Sequence, residues 1–140
     1  LGIAQSGDDV LRIYATGDSI AILVQNGTMM QSCPFRCSRD FSSRPTLLST
    51  NNEHNSFFKS INSPFEIKEE WDIVGKMGFV LFCMTDALAE WSLYLDEIGE
   101  PVWAALSEIR YEWEFHQLVF EERQKKKMKY DDATLITILI

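Results

Sequence analysis

Two stretches of this chain are apolar almost without interruption, and each is bounded by carboxylates. Phe79-Val80-Leu81-Phe82-Cys83-Met84-Thr85 runs straight into Asp86, and Asp131-Asp132 opens directly onto residues 133–140. A strand wetted on one face alternates apolar and polar side chains; a strand without alternation needs cover on both faces. Two such strands in 140 residues demand a layered core, with packing above and below the sheet that holds them. They also carry their acids to strand ends, where folds often build metal or catalytic sites. Asp86 and Asp131 are therefore the first candidates for function.

The rest of the chain is patterned differently. Residues 10–16 alternate, with Leu11, Ile13 and Ala15 on one side and Arg12 and Tyr14 on the other. Residues 19–25 set Ile20, Ile22 and Val24 against Ala21 and Leu23. Both read as strands, joined by Gly17-Asp18. Asn26-Gly27 is the positive-φ pair of a two-residue hairpin, which makes 28–32 the returning strand. From 33 to 63 the pattern dissolves into Ser, Asn, Pro and Arg, as expected of a flexible binding loop. A short strand is predicted at 64–69, and helices at 87–97, 101–109 and 111–127. Pro101 suits a first helical turn after the break at Gly99. Tyr111, Phe115, Leu118 and Val119 fall on one face of the last helix. A strand over 133–140 closes the chain. The whole reads as one α+β domain over residues 1–140, with two packed sheets and outer helices.

Bulk properties narrow the function. A composition of 46% hydrophobic and 24% charged residues is that of an ordinary soluble globular protein. No apolar stretch reaches the roughly 20 residues that a membrane span needs, so no membrane partner is expected. A net charge of −8 argues against nucleic acid, whose phosphates require a surplus of Lys and Arg. The basic cluster at 123–129 reads as a solvated helix C-terminus favoured by the helix dipole. Three cysteines make no disulfide framework and fit a reducing cytoplasm. Cys33 and Cys37 with His54 lack the fourth ligand of a structural zinc site. Cys83 is a small core residue. Leu1 and the strand-like last residues give both ends the look of a cut from a longer chain.

The order of motifs is informative: Gly17-Asp18-Ser19 after a strand, Asn26-Gly27 in a hairpin, then a long loop. Thr85-Asp86-Ala87-Leu88-Ala89-Glu90-Trp91 follows, and Asp131-Asp132-Ala133-Thr134-Leu135 comes last. This order resembles the metal-dependent protein phosphatases of the PPM family, also called protein phosphatase type 2C, particularly their bacterial branch. The resemblance spans nearly the whole chain and about the C-terminal half of the family's domain. It implies an α-β-β-α sandwich of which only the C-terminal portion is present. It also implies hydrolysis of phosphoserine or phosphothreonine by a water bridging two Mn²⁺ or Mg²⁺ ions. By resemblance, Asp86 matches the aspartate of the family's Ser/Thr-Asp-Gly motif and Asp131 that of its Asp-Asn/Asp-x-Thr motif; both are metal ligands. Asp18 and Glu90 match positions that hold an accessory third metal in some members. Ala87 stands where the family usually has glycine, and Glu90 where it has aspartate. No Asp-Gly dipeptide occurs anywhere, so the metal-bridging motif and the phosphate-binding arginine of the family's first half have no counterpart here. The chain is not expected to complete the two-metal site alone.

The residue types agree with this chemistry. Hard divalent cations take carboxylate oxygens, and two together lower a water's pKa and clamp phosphate oxygens. Asp86 and Glu90, four apart on a helix, share one face. Each acid also has a plain role: Asp86 as an N-cap, Asp18, Asp131 and Asp132 as turn residues, Glu90 as an exposed helix position. Arg39 and Arg44 lie in the long loop and match phosphate bidentately; Arg44 is taken as the substrate-binding candidate. His54 and His116 are read as non-catalytic. The expected partner is a phosphoprotein. Three functions follow: a PPM-type phosphatase in signalling, a non-catalytic PPM-like binding or regulatory module, and an unrelated α+β interaction domain. Since the strands at 79–84 and 135–140 need cover on both faces, an apolar face or strand edge is expected to remain. A missing N-terminal segment or a partner chain would close it.

Overall fold

A computed structural model describes residues 2–6, 10–15, 17–42, 67–73 and 78–140. In chain order the strands are β1 (Gly2–Ser6), β2 (Val10–Ala15), β3 (Ile20–Gln25), β4 (Thr28–Cys33), β5 (Ile67–Asp72) and β6 (Phe79–Met84). The helices α1 (Asp86–Glu97), α2 (Val102–Glu108) and α3 (Glu112–Gln124) come next, and β7 (Leu135–Leu139) ends the series. Pairing is antiparallel throughout. The strands form a three-stranded sheet, β1-β2-β5, and a four-stranded sheet, β4-β3-β6-β7.

The alternation in β2 is that of a strand with one buried face. Leu11, Ile13 and Ala15 are buried and pack with Trp71 of β5 against Ala21, Leu23, Leu81 and Cys83 of the other sheet. β3 and β6 have no polar face because each is covered twice. Their opposite faces, Ile20, Ile22, Val24, Phe82 and Met84, pack on Leu88, Trp91, Trp103 and Leu106 of the helical layer. Each fully buried side chain of this size contributes about 1.5–3 kcal/mol, so this doubly covered pair is the centre of stability. The architecture is α+β: sheet, sheet, helices.

Local signals fix the connections. Asn26 (φ 51°) and Gly27 (φ 75°) make the two-residue turn that sets Gln25 opposite Thr28. Gly17 (φ 88°) lets the chain leave β2 and cross to the other sheet. Glu114 reaches back to accept the N–H groups of Arg110 (2.7 Å) and Tyr111 (3.0 Å), capping α3. The buried carboxylate of Glu122 accepts from the Trp91 indole at 3.1 Å and the Lys125 ammonium at 2.8 Å, tying α3 to α1.

Several expectations change. β1 pairs with β2 although residues 2–6 carry no strand pattern of their own. The unpatterned region begins with order: a 3₁₀ turn at Ser38–Ser42 is held by the Asp40 carboxylate, which accepts from Arg36 N (2.8 Å) and Cys37 N (3.0 Å). The Phe35 and Phe41 rings meet there, tilted by 55° with their centres 4.4 Å apart. Positions 43–63, with Arg44 and His54, lie outside the described residues, as do 64–66 of the predicted short strand, which runs instead over Ile67–Asp72. Tyr111 is not on the buried face of α3; it precedes the helix and is exposed. β7 is covered on neither face as fully as β6. Ile136 and Ile138 lie opposite Cys83 and Leu81, facing the inter-sheet core, yet are 54% and 41% exposed, and Leu139 is 77% exposed. A three-stranded sheet over a four-stranded one leaves the end strand short of cover.

Candidate functional site

The site grows from the C-terminal end of β6. Thr85 leaves the strand in extended conformation and precedes α1, but its hydroxyl does not cap the helix. That hydroxyl donates to the Asp132 carbonyl (2.9 Å) and accepts from Thr134 N–H (3.0 Å), while Thr85 N–H donates to the Thr134 carbonyl (3.3 Å). One side chain thereby fastens the end of β6 to the start of β7.

The strand registers then decide which acids meet. Ile20 pairs with Met84, so the chain just before β3 brings Asp18 towards Asp86. Met84 pairs with Leu135, so the segment before β7 brings Asp131 to the same end. Three adjacent strands deliver three carboxylates to one end of the four-stranded sheet. The electrostatics of Asp86 agree. Its carboxyl lies above the usual range first because of burial, then because the charges of Asp18 and Asp131 repel a third; the Ala87 N–H and the Lys129 ammonium act in the opposite direction.

Two basic residues organise the rim. Arg123 donates from Nε to the Lys129 carbonyl (3.1 Å) and from a terminal nitrogen to the Asp131 carbonyl, with its guanidinium 5.7 Å from the Tyr130 ring centre. Lys129 forms an ion pair with Glu90. Glu90 thus shares α1 with Asp86, but its carboxylate is engaged by Lys129. Beside Asp131 lies an open groove of about 410 Å³, lined by Phe115, His116, Phe120, Arg123 and Tyr130 among others.

Of the candidates read from the sequence, Asp18, Asp86 and Asp131 are brought together, Glu90 is adjacent and paired, and Arg44 lies outside the described residues. Arg39 is exposed in the 3₁₀ turn. Among the described residues no group of three or more His, Cys, Asp or Glu is close enough to enclose a metal ion. The carboxylates converge without closing. Cys33 and Cys83 are poor ligands, since burial pushes their thiols up to about 12 and about 11. Sequence reading missed the tethering by Thr85, Arg123 and Lys129. The available signal was a basic cluster ending immediately before Asp131-Asp132.

Compared with protein-family models, curated proteins and solved structures, the chain finds no match. Among the described residues no helix is long and apolar enough to cross a membrane.

Proposed function

We propose that this chain is the C-terminal portion of a PPM-type metal-dependent phosphatase acting on phosphoserine or phosphothreonine in proteins. One observation carries the reading: three neighbouring strands bring Asp18, Asp86 and Asp131 to one sheet end, where Asp86 feels both other charges. Carboxylate oxygens are the donors that Mn²⁺ and Mg²⁺ prefer. Asp86 and Asp131 would hold such ions, with Asp18 as an accessory ligand. When bound, a pair of these ions supplies Lewis acidity and an activated water. The chain's own part is to concentrate negative charge at Asp86, to hold the Asp131 segment in place through Thr85 and Arg123, and to offer the aromatic groove to residues flanking a phosphorylated side chain. Free thiols at Cys33, Cys37 and Cys83 fit a reducing compartment such as the cytoplasm.

A second reading is a non-catalytic PPM-like module that binds or regulates. The ion pair of Lys129 with Glu90 favours it, because a fixed cation beside Asp86 weakens the pull on a divalent ion. Melting of the complete protein, of which this chain would be the C-terminal portion, with and without Mn²⁺, together with hydrolysis of a phosphothreonine peptide, separates the readings. An Mn²⁺-dependent rise in melting temperature, lost in Asp86→Asn and Asp131→Asn, with hydrolysis supports the enzyme. The same rise without hydrolysis supports the module. No Mn²⁺ response would show that the acids are only turn and cap residues.

A further inference from the structure

Lys129 is held more firmly than an ordinary surface lysine. Met128 before it is buried, in the same core cluster as Leu88 and Trp91. The Glu122 carbonyl accepts from Lys127 N–H (2.9 Å) and Met128 N–H (3.4 Å), and the Lys129 carbonyl accepts from Arg123 Nε (3.1 Å). The backbone is thus fixed on both sides of Lys129, and two residues later the chain reaches Asp131. From this fixed point the ammonium pairs with Glu90, which stands one helical turn after Asp86 on α1.

Glu90 is constrained in turn. The oxygen it turns to Lys129, Oε2, is shut off from solvent and accepts no hydrogen bond from the described residues. A carboxylate oxygen sealed in this way needs a cation beside it, and Lys129 supplies one. By resemblance Glu90 and Asp18 match the position of an accessory third divalent ion, but the residues here do not fit such an ion. Mn²⁺ and Mg²⁺ gather several oxygen donors around one point, and one of these two carboxylates already faces an ammonium. Lysine is a compact point charge on a flexible stem, so it neutralises a single oxygen without that demand. Its charge is also felt at Asp86, and a dication placed beside Glu90 would meet it as a like charge.

We propose that Lys129 is a built-in cation that takes the place of the accessory ion at Glu90. Resting on the phosphatase reading, this fixes the ion count: the complete protein takes two divalent ions and refuses a third. Asp18, without Glu90 as a co-ligand, is left to the ions at Asp86 and Asp131. A covalently attached charge cannot be chelated or diluted away, so the link between α1 and the segment carrying Asp131 holds whatever the free Mn²⁺ concentration. Lys129 is a positioning residue on this account, and Glu90 is its anchor rather than a metal ligand.

Equilibrium dialysis of the complete protein against Mn²⁺, with the bound metal counted by elemental analysis, tests this. The wild type should bind two ions. Lys129→Met removes the charge from a side chain that is 57% exposed and should let one more ion bind; Lys129→Arg keeps the charge and should not. Adding Glu90→Gln to Lys129→Met should return the count to two, and Glu90→Gln alone should leave it at two. That single variant decides the matter even if Lys129→Met fails to fold. A wild type that binds three ions, a Lys129→Met protein with the wild-type count, a Lys129→Arg protein that gains an ion, or an ion lost through Glu90→Gln alone would each overturn the proposal and leave the phosphatase reading standing. A wild type that binds one ion or none would overturn that reading, and the proposal with it.

Discussion

Asp86 holds a charge that its surroundings oppose. Burial and the nearby Asp18 and Asp131 raise its pKa in the folded state above the usual value of about 3.9. The folded protein therefore binds this proton more tightly than the unfolded chain does. Stability from this group is greatest at low pH and falls as pH rises from about 3.9 through the folded pKa. Asp86→Asn is expected to raise the melting temperature at neutral pH and to leave it unchanged near pH 3, about one unit below the unfolded value; a calorimetric pH series checks both halves. A variant that lowers stability at neutral pH would show that the carboxylate is needed for the fold. Stored repulsion of this kind is expected where a cation is to be bound. Asp86 and Asp131 were legible in the sequence because each borders an apolar run, Asp86 after one and Asp131 before one, and belongs to an ordered set of motifs. Thr85, Arg123 and Lys129 were not, because their side-chain partners are three backbone carbonyls, a backbone N–H and one carboxylate that only folding brings near.

At the scale of elements, hydrophobic period carried most of the information. β2, β3, β4, β6 and all three helices fall where alternation, turn residues and helical spacing put them. β1 was invisible because Gly2-Ile3-Ala4-Gln5-Ser6 has neither alternation nor bulk, and it is held by pairing with β2 rather than by its own preference. The 3₁₀ turn was invisible because Asp40 caps it through two backbone N–H groups rather than through an apolar pattern. Glu122 on α3 looked like an ordinary helix surface acid, yet it is buried against α1. Burial opposes its ionisation, but Lys125 and the Trp91 indole outweigh burial and hold its carboxyl below the usual range. Its contribution is therefore present above pH about 4.3 and fades as the pH falls through its lowered folded pKa. Glu122→Ala is expected to cost about 1–3 kcal/mol, because it strands the Trp91 N–H in the core. Glu122→Gln keeps an acceptor and should cost less. Urea titrations of the two variants at neutral pH measure the difference, and equal stability would show that the indole does not depend on this carboxylate.

The whole molecule is a gradient of burial from the centre outward. Ile22, Leu23, Leu81 and Phe82 are at most 1% exposed, whereas β7 is open along its length. Hydrogen exchange in dilute solution is expected to show the amides of β3 and β6 opening only with global unfolding and those of β7 opening well before them. Uniform protection across the sheet would contradict this. The tether between β6 and β7 has a consequence for the order of assembly. Thr85 and Thr134 are 49 residues apart, and the three helices lie between them. The β3–β4 hairpin and the helices form through near-neighbour contacts, while closing a loop of that length carries an entropic cost that must be met before the contact rewards it. β7 should therefore dock late in folding, and Asp131 arrives with it. Until then Asp86 and Asp18 lack their third carboxylate, so on the proposed reading an incompletely folded or locally frayed chain would hold divalent ions poorly. Cation affinity would then report on whether the last strand is in place.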